Sequence, residues 1–301
     1  MQEDVFPICT ACGSQYDAEN GSPPKRCKIC DDPRQFVPPS GQSWTTLSQL
    51  RTEHENKWAQ DPEDSRVWYF WTEPKFAIGQ RAFLLRTPHG NIIWDLLPLL
   101  SPTTISKLND LGGVHAIIIS HPHYYATYAS WLAAFPDATL YVSSDDKGWL
   151  CRQPERNMVV CSVIGRVGYK EEVVDGVWVV KVGGHFEGSL VLLLEGSGKE
   201  GEGGEGASCQ TTYSFMWSIP NMIPLPPKSI KQIWDALKDL DFESTHGAFV
   251  GMDVRGEVGE VKERLLESMK IQVRGEGWDA EETFAEKEQV SDDVLYRTIT
   301  R

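Results

Sequence analysis

The run Val114–Ser120 (VHAIIIS) is dominated by apolar, largely β-branched residues and ends in His121-Pro122-His123. A short apolar run without polar alternation reads as a buried strand. Around it the pattern is β first and then β/α, which implies a layered α/β (α+β) fold with structure on both faces of a sheet. Pro122 holds the exit loop away from helix. Residues i and i+2 on extended backbone point to the same side, so both imidazoles can meet one ion at the strand's C-terminal end.

The flanking sequence supplies the other layers. Val67–Thr72, Arg81–Thr87 and Asn91–Leu97 read as strands, the last two joined by the turn Pro88-His89-Gly90. Ile105–Leu111 and Thr127–Phe135 read as helices, and Ala138–Ser143 as the next strand. Asn157–Val163, Glu171–Asp175, Val177–Val182 and Ser189–Leu194 add β structure. Gly196–Gly206 (GSGKEGEGGEG) is a low-complexity, exposed loop. Ile230, Ile233, Trp234, Leu237 and Leu240 keep helical spacing, with Ser229 as the expected N-cap. Val258, Val261, Leu265 and Met269 mark a last helix, and Ser43 to Ala59 is expected to be a helical connector. The chain therefore divides into a cysteine-bearing segment 1–40, a connector 41–66, a main domain 67–274 and an acidic tail 275–301. No internal repeat is visible, although the order of elements permits a pseudo-duplicated sandwich.

Four of the seven cysteines form two pairs, Cys9-x2-Cys12 and Cys27-x2-Cys30. Two such knuckles can close a tetrahedron of thiolates around Zn²⁺. Lys25, Arg26 and Lys28 partly offset the thiolate charge. Forty residues this poor in apolar side chains lack a core of their own, and a structural zinc supplies the missing stability. The alternatives are two disulfides or free thiols. Cys151 and Cys161 are expected to pack as small hydrophobes.

The net charge of −14 argues against a nucleic-acid partner, and no basic cluster offsets it. No apolar run reaches the length of a membrane span. The N-terminus MQEDVFPICT has no apolar signal core, so a cytoplasmic location is expected.

Two further histidines end apolar or helical segments. His185 lies in Gly183-Gly184-His185-Phe186 and His246 in Thr245-His246-Gly247. With His121 and His123 they form a set at element ends in glycine- or proline-bearing loops. Taken singly, each is as well read as an unrelated loop histidine. His54, His89 and His115 read as an exposed helix residue, a turn residue and a strand start.

Over roughly residues 66–272 these features resemble the metallo-β-lactamase fold superfamily. The resemblance rests on Asn91-Ile92-Ile93-Trp94-Asp95, on His121-Pro122-His123, on Gly184-His185 and on Thr245-His246-Gly247, in that order. More narrowly, SHPHYY with GGHF and the later SFMWSIPNMIPLP is similar to one subgroup of these hydrolases. The resemblance implies an αββα sandwich with the metal at the edge between two sheets. It implies His121, His123 and His185 as zinc ligands, Asp95 as a brace behind the loop, and His246 near a second metal.

The chain departs from the family where the second metal would sit. The family's H-x-H-x-D-H has Tyr125 and Ala126 in place of its Asp and last His. No Asp occurs between Asp175 and Asp235 to bridge two metals, which leaves Glu195 or Cys209 as possible substitutes. The expectation is a mononuclear three-histidine zinc site with an open fourth position. Tyr125, or Tyr124, could donate to a developing oxyanion, and His246 could donate to an intermediate or complete a four-histidine site. Packing beneath the loop is the alternative for both tyrosines. Phe215, Met216 and Trp217 line either a pocket or the core, and Asp145, Asp146 and Trp149 read as a solvated turn. Two functions follow: a zinc-dependent hydrolase of a small-molecule ester, thioester, amide or lactam, or a non-catalytic descendant that binds a ligand or protein.

Overall fold

The computed structural model describes residues 2–17, 22–152, 160–163, 165–196 and 213–285. Cys209, nearly all of the Gly/Glu loop and the tail from residue 286 lie outside them, as does the side chain of Cys161.

Seven strands form the main sheet in chain order: Glu55–Gln60, Val67–Glu73, Arg81–Leu85, Ile92–Trp94, Ala116–Ile118, Thr139–Ser143 and Val160–Val163. The first four pair antiparallel, and the last three join in parallel. Parallel neighbours require crossovers. Helices Pro102–Asp110 and Tyr128–Ala134 supply two of them. A second sheet is the meander Lys170–Val174, Val177–Lys181 and Leu190–Leu194.

Alternation along the strands decides how the sheets stack. Phe83, Leu85, Ile92, Ala116 and Ile118 face Val177, Val179 and Leu190 of the second sheet. Their neighbours Leu84, Ile93 and Ile117 face the other way, toward Leu47, Leu50, Leu108, Tyr128 and Trp131 on three helices. Val180 and Val182, on the outer face of the second sheet, pack with Ile230, Ile233, Leu265, Met269 and Val273 of helices Pro227–Leu237 and Val258–Gly275. The result is the helix–sheet–sheet–helix sandwich expected from the sequence.

The expected connector helix is shorter than Ser43–Ala59. Thr46 caps a helix over Leu47–Glu53 by accepting from the Gln49 N–H. His54 then turns extended, and Glu55–Gln60 becomes an edge strand of the main sheet. Tertiary pairing decides this: Trp58 lies opposite Phe70 with ring centroids 4.2 Å apart. Ser229 is not the N-cap it was expected to be. Pro226 holds that position, with Pro227 the first helical residue, because proline's fixed φ and missing N–H suit a helix start.

No helix among the described residues is long and apolar enough to cross a membrane.

Phe70 is fully buried between Trp58 and Trp131. Phe70→Ala is expected to lower unfolding stability by about 3–5 kcal/mol. A urea-melt loss below about 1 kcal/mol would mean that the edge strand does not pack as described.

Candidate metal centre

Ala116–Ile118 ends at the sheet edge, and Ser120 follows under three restraints. Its N–H donates to Asp95 Oδ1 (2.8 Å), its hydroxyl donates to Asp95 Oδ2 (3.1 Å), and its carbonyl accepts from the Leu190 N–H (2.9 Å). The last bond ties the end of one sheet to the start of a strand in the other. It brings the His185 loop, which precedes Leu190, to the His121 loop.

Asp95 is fully buried at φ 60°, and burial pushes its carboxyl up to about 7 against the two bonds from Ser120. It is the brace expected at this position. With the Ser120 proton committed to Asp95, Ser120 Oγ accepts from His121 Nδ1 (2.9 Å), which leaves Nε2 as the bare nitrogen. His185 is oriented the same way: its Nδ1 lies 3.2 Å from the Met216 carbonyl, which can only accept. His185 Nε2 then faces His123 Nδ1 at 3.2 Å.

One nitrogen from each of His121, His123 and His185 lies within 4.8 Å of the others. Two nitrogens of a tetrahedral zinc site sit about 3.3 Å apart, given Zn–N near ~2.05 Å, and the 3.2 Å between His185 Nε2 and His123 Nδ1 matches that. Burial pushes all three imidazoles below their ordinary range, His123 to about 3, with each neighbouring histidine adding to the effect on His121. They are neutral at pH 7, as ligands must be.

Gly184 and Gly188 shape the loop that carries His185. A Cβ on Gly184 would lie 2.9 Å from Ile233 Cδ1, and one on Gly188 would lie 2.2 Å from Ser143 Oγ. Asp146 Oδ1 accepts from the Gly188 N–H (3.2 Å) and is 2% exposed, so Asp146 is not in the solvated turn expected there.

Tyr125 is 1% exposed, and its hydroxyl donates to the Asp146 carbonyl (2.9 Å). That donor is committed to the loop and is not free for an oxyanion. Tyr124 is the tyrosine beside the centre, with its ring 4.5 Å from that of His121. Ala126 adopts φ 47°, and its carbonyl accepts from the Gln15 N–H (3.0 Å). The two positions where the resemblance would have second-metal ligands are thus occupied by internal packing and by a contact with the N-terminal segment.

His246 does not join the three. Its Nδ1 meets Asp253 Oδ1 (2.8 Å), Asp253 is also held by Arg81, and its Nε2 lies 3.3 Å from Ser244 Oγ. Glu195 accepts from Trp178 Nε1 at the far end of Leu190–Leu194. That strand's five residues, about 17 Å of extended chain, separate it from the histidine end, so it does not replace the bridging Asp.

The four paired cysteines also converge, within the same 4.8 Å limit. Cys9 and Cys30 sulfurs are 3.5 Å apart, as are those of Cys12 and Cys27. Tetrahedral Zn–S bonds of ~2.3 Å would set them about 3.8 Å apart. The Cys30 N–H points at Cys27 Sγ (3.4 Å), and Tyr16 Oη lies 3.2 Å from the same sulfur. Burial pushes the Cys12 thiol up, so four thiolates here require a cation. Cys151 packs against this cluster, as a small apolar residue would.

Sequence reading missed Asp32 and Arg34. Both lie just past the second knuckle and sit over the histidines, with Arg34 Nη1 donating to the His185 carbonyl (2.9 Å). The only local signal was a charged pair, D-x-R, beside a metal-binding knuckle.

A two-sheet sandwich with three convergent histidines at the strand ends defines this chain as a metallo-β-lactamase fold with a candidate metal centre. It belongs to the family of the uncharacterised protein YmaE of Bacillus subtilis (strain 168), with which it is 37% identical over 256 residues, 81% of this chain and 88% of that protein. No protein-family model matches the chain. Among solved structures it is similar to a metallo-β-lactamase from Hirschia baltica (12% identity, 71% of this chain and 97% of the other, TM-score 0.45). It is also similar to FIM-1 of Pseudomonas aeruginosa in its mono-zinc form (12%, 72% and 96%, TM-score 0.46).

The depressed histidines give the metal-free fold a pH signature. The unfolded chain protonates His123 near 6.5, whereas the fold does so only near pH 3. Stability therefore falls as pH drops through that window and levels off below it. Asp95 acts in the opposite sense, since the fold holds its proton from about pH 7 down to about 4. His123→Gln removes the first effect and leaves the second. Between pH 6.5 and 4, the melting temperature of metal-free His123→Gln is expected to fall less steeply than that of the parent. Equal slopes in thermal melts would show that His123 is not held neutral.

Proposed function

We propose that the protein is a zinc-dependent hydrolase of a small-molecule ester, thioester, amide or lactam, with one zinc held by His121, His123 and His185. The observation that supports it most is the convergence of three neutral imidazoles, two of them with Nδ1 committed as a donor, so that bare nitrogens face one point. A zinc ion held there would supply Lewis acidity for an acyl oxygen and make water nucleophilic near neutral pH.

The chain's own residues do the rest. Asp95 and Ser120 fix the His121 ring, and the Met216 carbonyl fixes His185. Phe186 packs against all three histidine rings and beneath Arg34, with Trp149 and Trp217 beyond, so the surroundings of the centre are partly apolar and suit a partly apolar acyl substrate. Among the described residues no cysteine or carboxylate joins the three histidine nitrogens as a ligand group, the nearby Asp32 being held by Arg34, which supports one metal rather than two. One metal serves acyl chemistry. Phosphodiester cleavage gains more from two ions that clamp both the attacking and leaving oxygens. A second zinc in the Cys9, Cys12, Cys27 and Cys30 cluster is structural in this reading. Its thiolate chemistry fits a reducing, cytoplasmic setting, and the charge of −14 disfavours nucleic acid.

Purified, zinc-loaded protein is expected to hydrolyse chromogenic esters or thioesters slowly. The rate should rise with pH through one ionisation near ~7. His185→Ala should abolish it. Activity confined to phosphodiesters would sink the single-metal reading. No activity on any substrate with the histidine centre filled would favour the non-catalytic binding protein.

A further inference from the structure

Segment 1–40 does more than hold its own metal. From Cys27 the chain passes to the histidine centre through successive tight turns, with Asp31 N–H to Cys27 carbonyl (2.9 Å), Asp32 N–H to Ile29 carbonyl (3.3 Å) and Gln35 N–H to Asp32 carbonyl (3.0 Å). There is little slack in which a movement at the knuckle could be lost.

At the end of this path Arg34 is clamped on several sides. Its Nε and Nη2 donate to the two oxygens of Asp32 (both 2.7 Å), and its backbone N–H donates to Asp32 Oδ1 (2.9 Å). Both side chains are 13% exposed. The guanidinium lies 3.7 Å from the Phe186 ring centroid and within 6 Å of the Trp149 and Trp217 rings. Its remaining nitrogen, Nη1, donates to the His185 carbonyl. The loop is fastened further by the Pro33 carbonyl, which accepts from Ser218 Oγ (2.7 Å) and Asn221 Nδ2 (2.6 Å).

Resting on the reading of the histidines as a metal centre, we propose that Arg34 is a positioning residue for His185, and that the cysteine centre thereby sets how tightly the histidine centre holds its ion. Apart from its contact with His123, His185 has two polar anchors. The Met216 carbonyl fixes the ring, and Arg34 fixes the backbone from which the ring projects. Gly184 precedes that backbone at φ 89°, a region open to glycine that stiffens little by itself; the loop's own bonds lie at Gly183, Phe186 and Ser189, and the bond to the His185 carbonyl comes from outside. A bidentate, stacked arginine is the side chain able to give it, because its donors leave in fixed directions.

Charge and position make opposite forecasts for Arg34→Ala, which lets that variant separate them. If Arg34 acted only as a nearby cation, Arg34→Ala would tighten a divalent ion at the histidines and Asp32→Asn would loosen it. If Arg34 acts by position, both variants loosen it, since Asp32 holds the guanidinium in place. Loss of an outer partner of a metal ligand costs about 10–100-fold in affinity.

Co²⁺ titration of the full-length protein reads both centres at once, because thiolate charge-transfer bands report the cysteines and weaker visible bands report the histidines. Arg34→Ala is expected to keep the thiolate bands at full intensity and to weaken Co²⁺ binding at the histidines by about 10-fold or more. Arg34→Lys, which keeps the charge and loses the fork, should recover only part of this. Cys9→Ser with Cys27→Ser should weaken the histidine centre without touching a histidine. Unchanged or tighter binding in Arg34→Ala, with the thiolate bands intact, overturns the proposal and leaves the metal-centre reading standing. If Arg34→Ala does not fold, unchanged affinity in Asp32→Asn overturns it equally. A parent protein whose histidines take up no Co²⁺ ends both.

Discussion

The contact between the two sheets is the constraint on which the site depends. Phe83, Leu85, Ile92, Ala116 and Ile118 on one face meet Val177, Val179 and Leu190 on the other. Apolar faces in contact fix the register of each strand, because a slip of one residue would turn every side chain over. Fixed register fixes where strands stop. Ala116–Ile118 stops just before Ser120, Leu190 begins opposite it, and one hydrogen bond between them closes the edge. The histidines sit on loops, yet their spacing is inherited from a core several residues away.

The N-terminal segment changes what that edge presents. Ile8 joins the main core, Gln15 binds the Ala126 carbonyl and the Ser130 hydroxyl, and Arg34 binds at His185. The Gln15 contact lies at Ala126, one of the two positions where the resemblance would have second-metal ligands. Tyr125 and Ala126 stand where the resemblance would have polar ligands of a second ion. These positions present a buried ring and a backbone carbonyl that faces the N-terminal segment, and a carbonyl facing the interior needs a donor. The Gln15 N–H is that donor.

Local and long-range features differed in how far the sequence exposed them. Most strands of the main sheet, the histidines at their ends and the cysteine knuckles depend on neighbours within a few residues, and local pattern reveals them. Asp95 was legible through resemblance. Glu55–Gln60 was not, because Trp58 becomes a strand residue only when Phe70 lies beneath it. Tyr125 stands two residues after His123 in sequence, yet its hydroxyl serves Asp146, 21 positions later. Arg34 was the hardest to see. Its meaning lies in His185, 151 positions away, and no local pattern distinguishes it from a solvated arginine.

The separation in sequence between the clasp and what it grips bears on the order of assembly. Cys9 to Cys30 leave the ribosome early, whereas His185, Ser218 and Asn221 follow about 150 or more residues later. At about 5–20 residues per second, that is a wait on the order of ten seconds or more. A cysteine cluster that closes on its ion during this interval presents a preformed hook to a sandwich still being made. On the proposed role of Arg34, the loop of His185 would then close on a piece of chain made well before it.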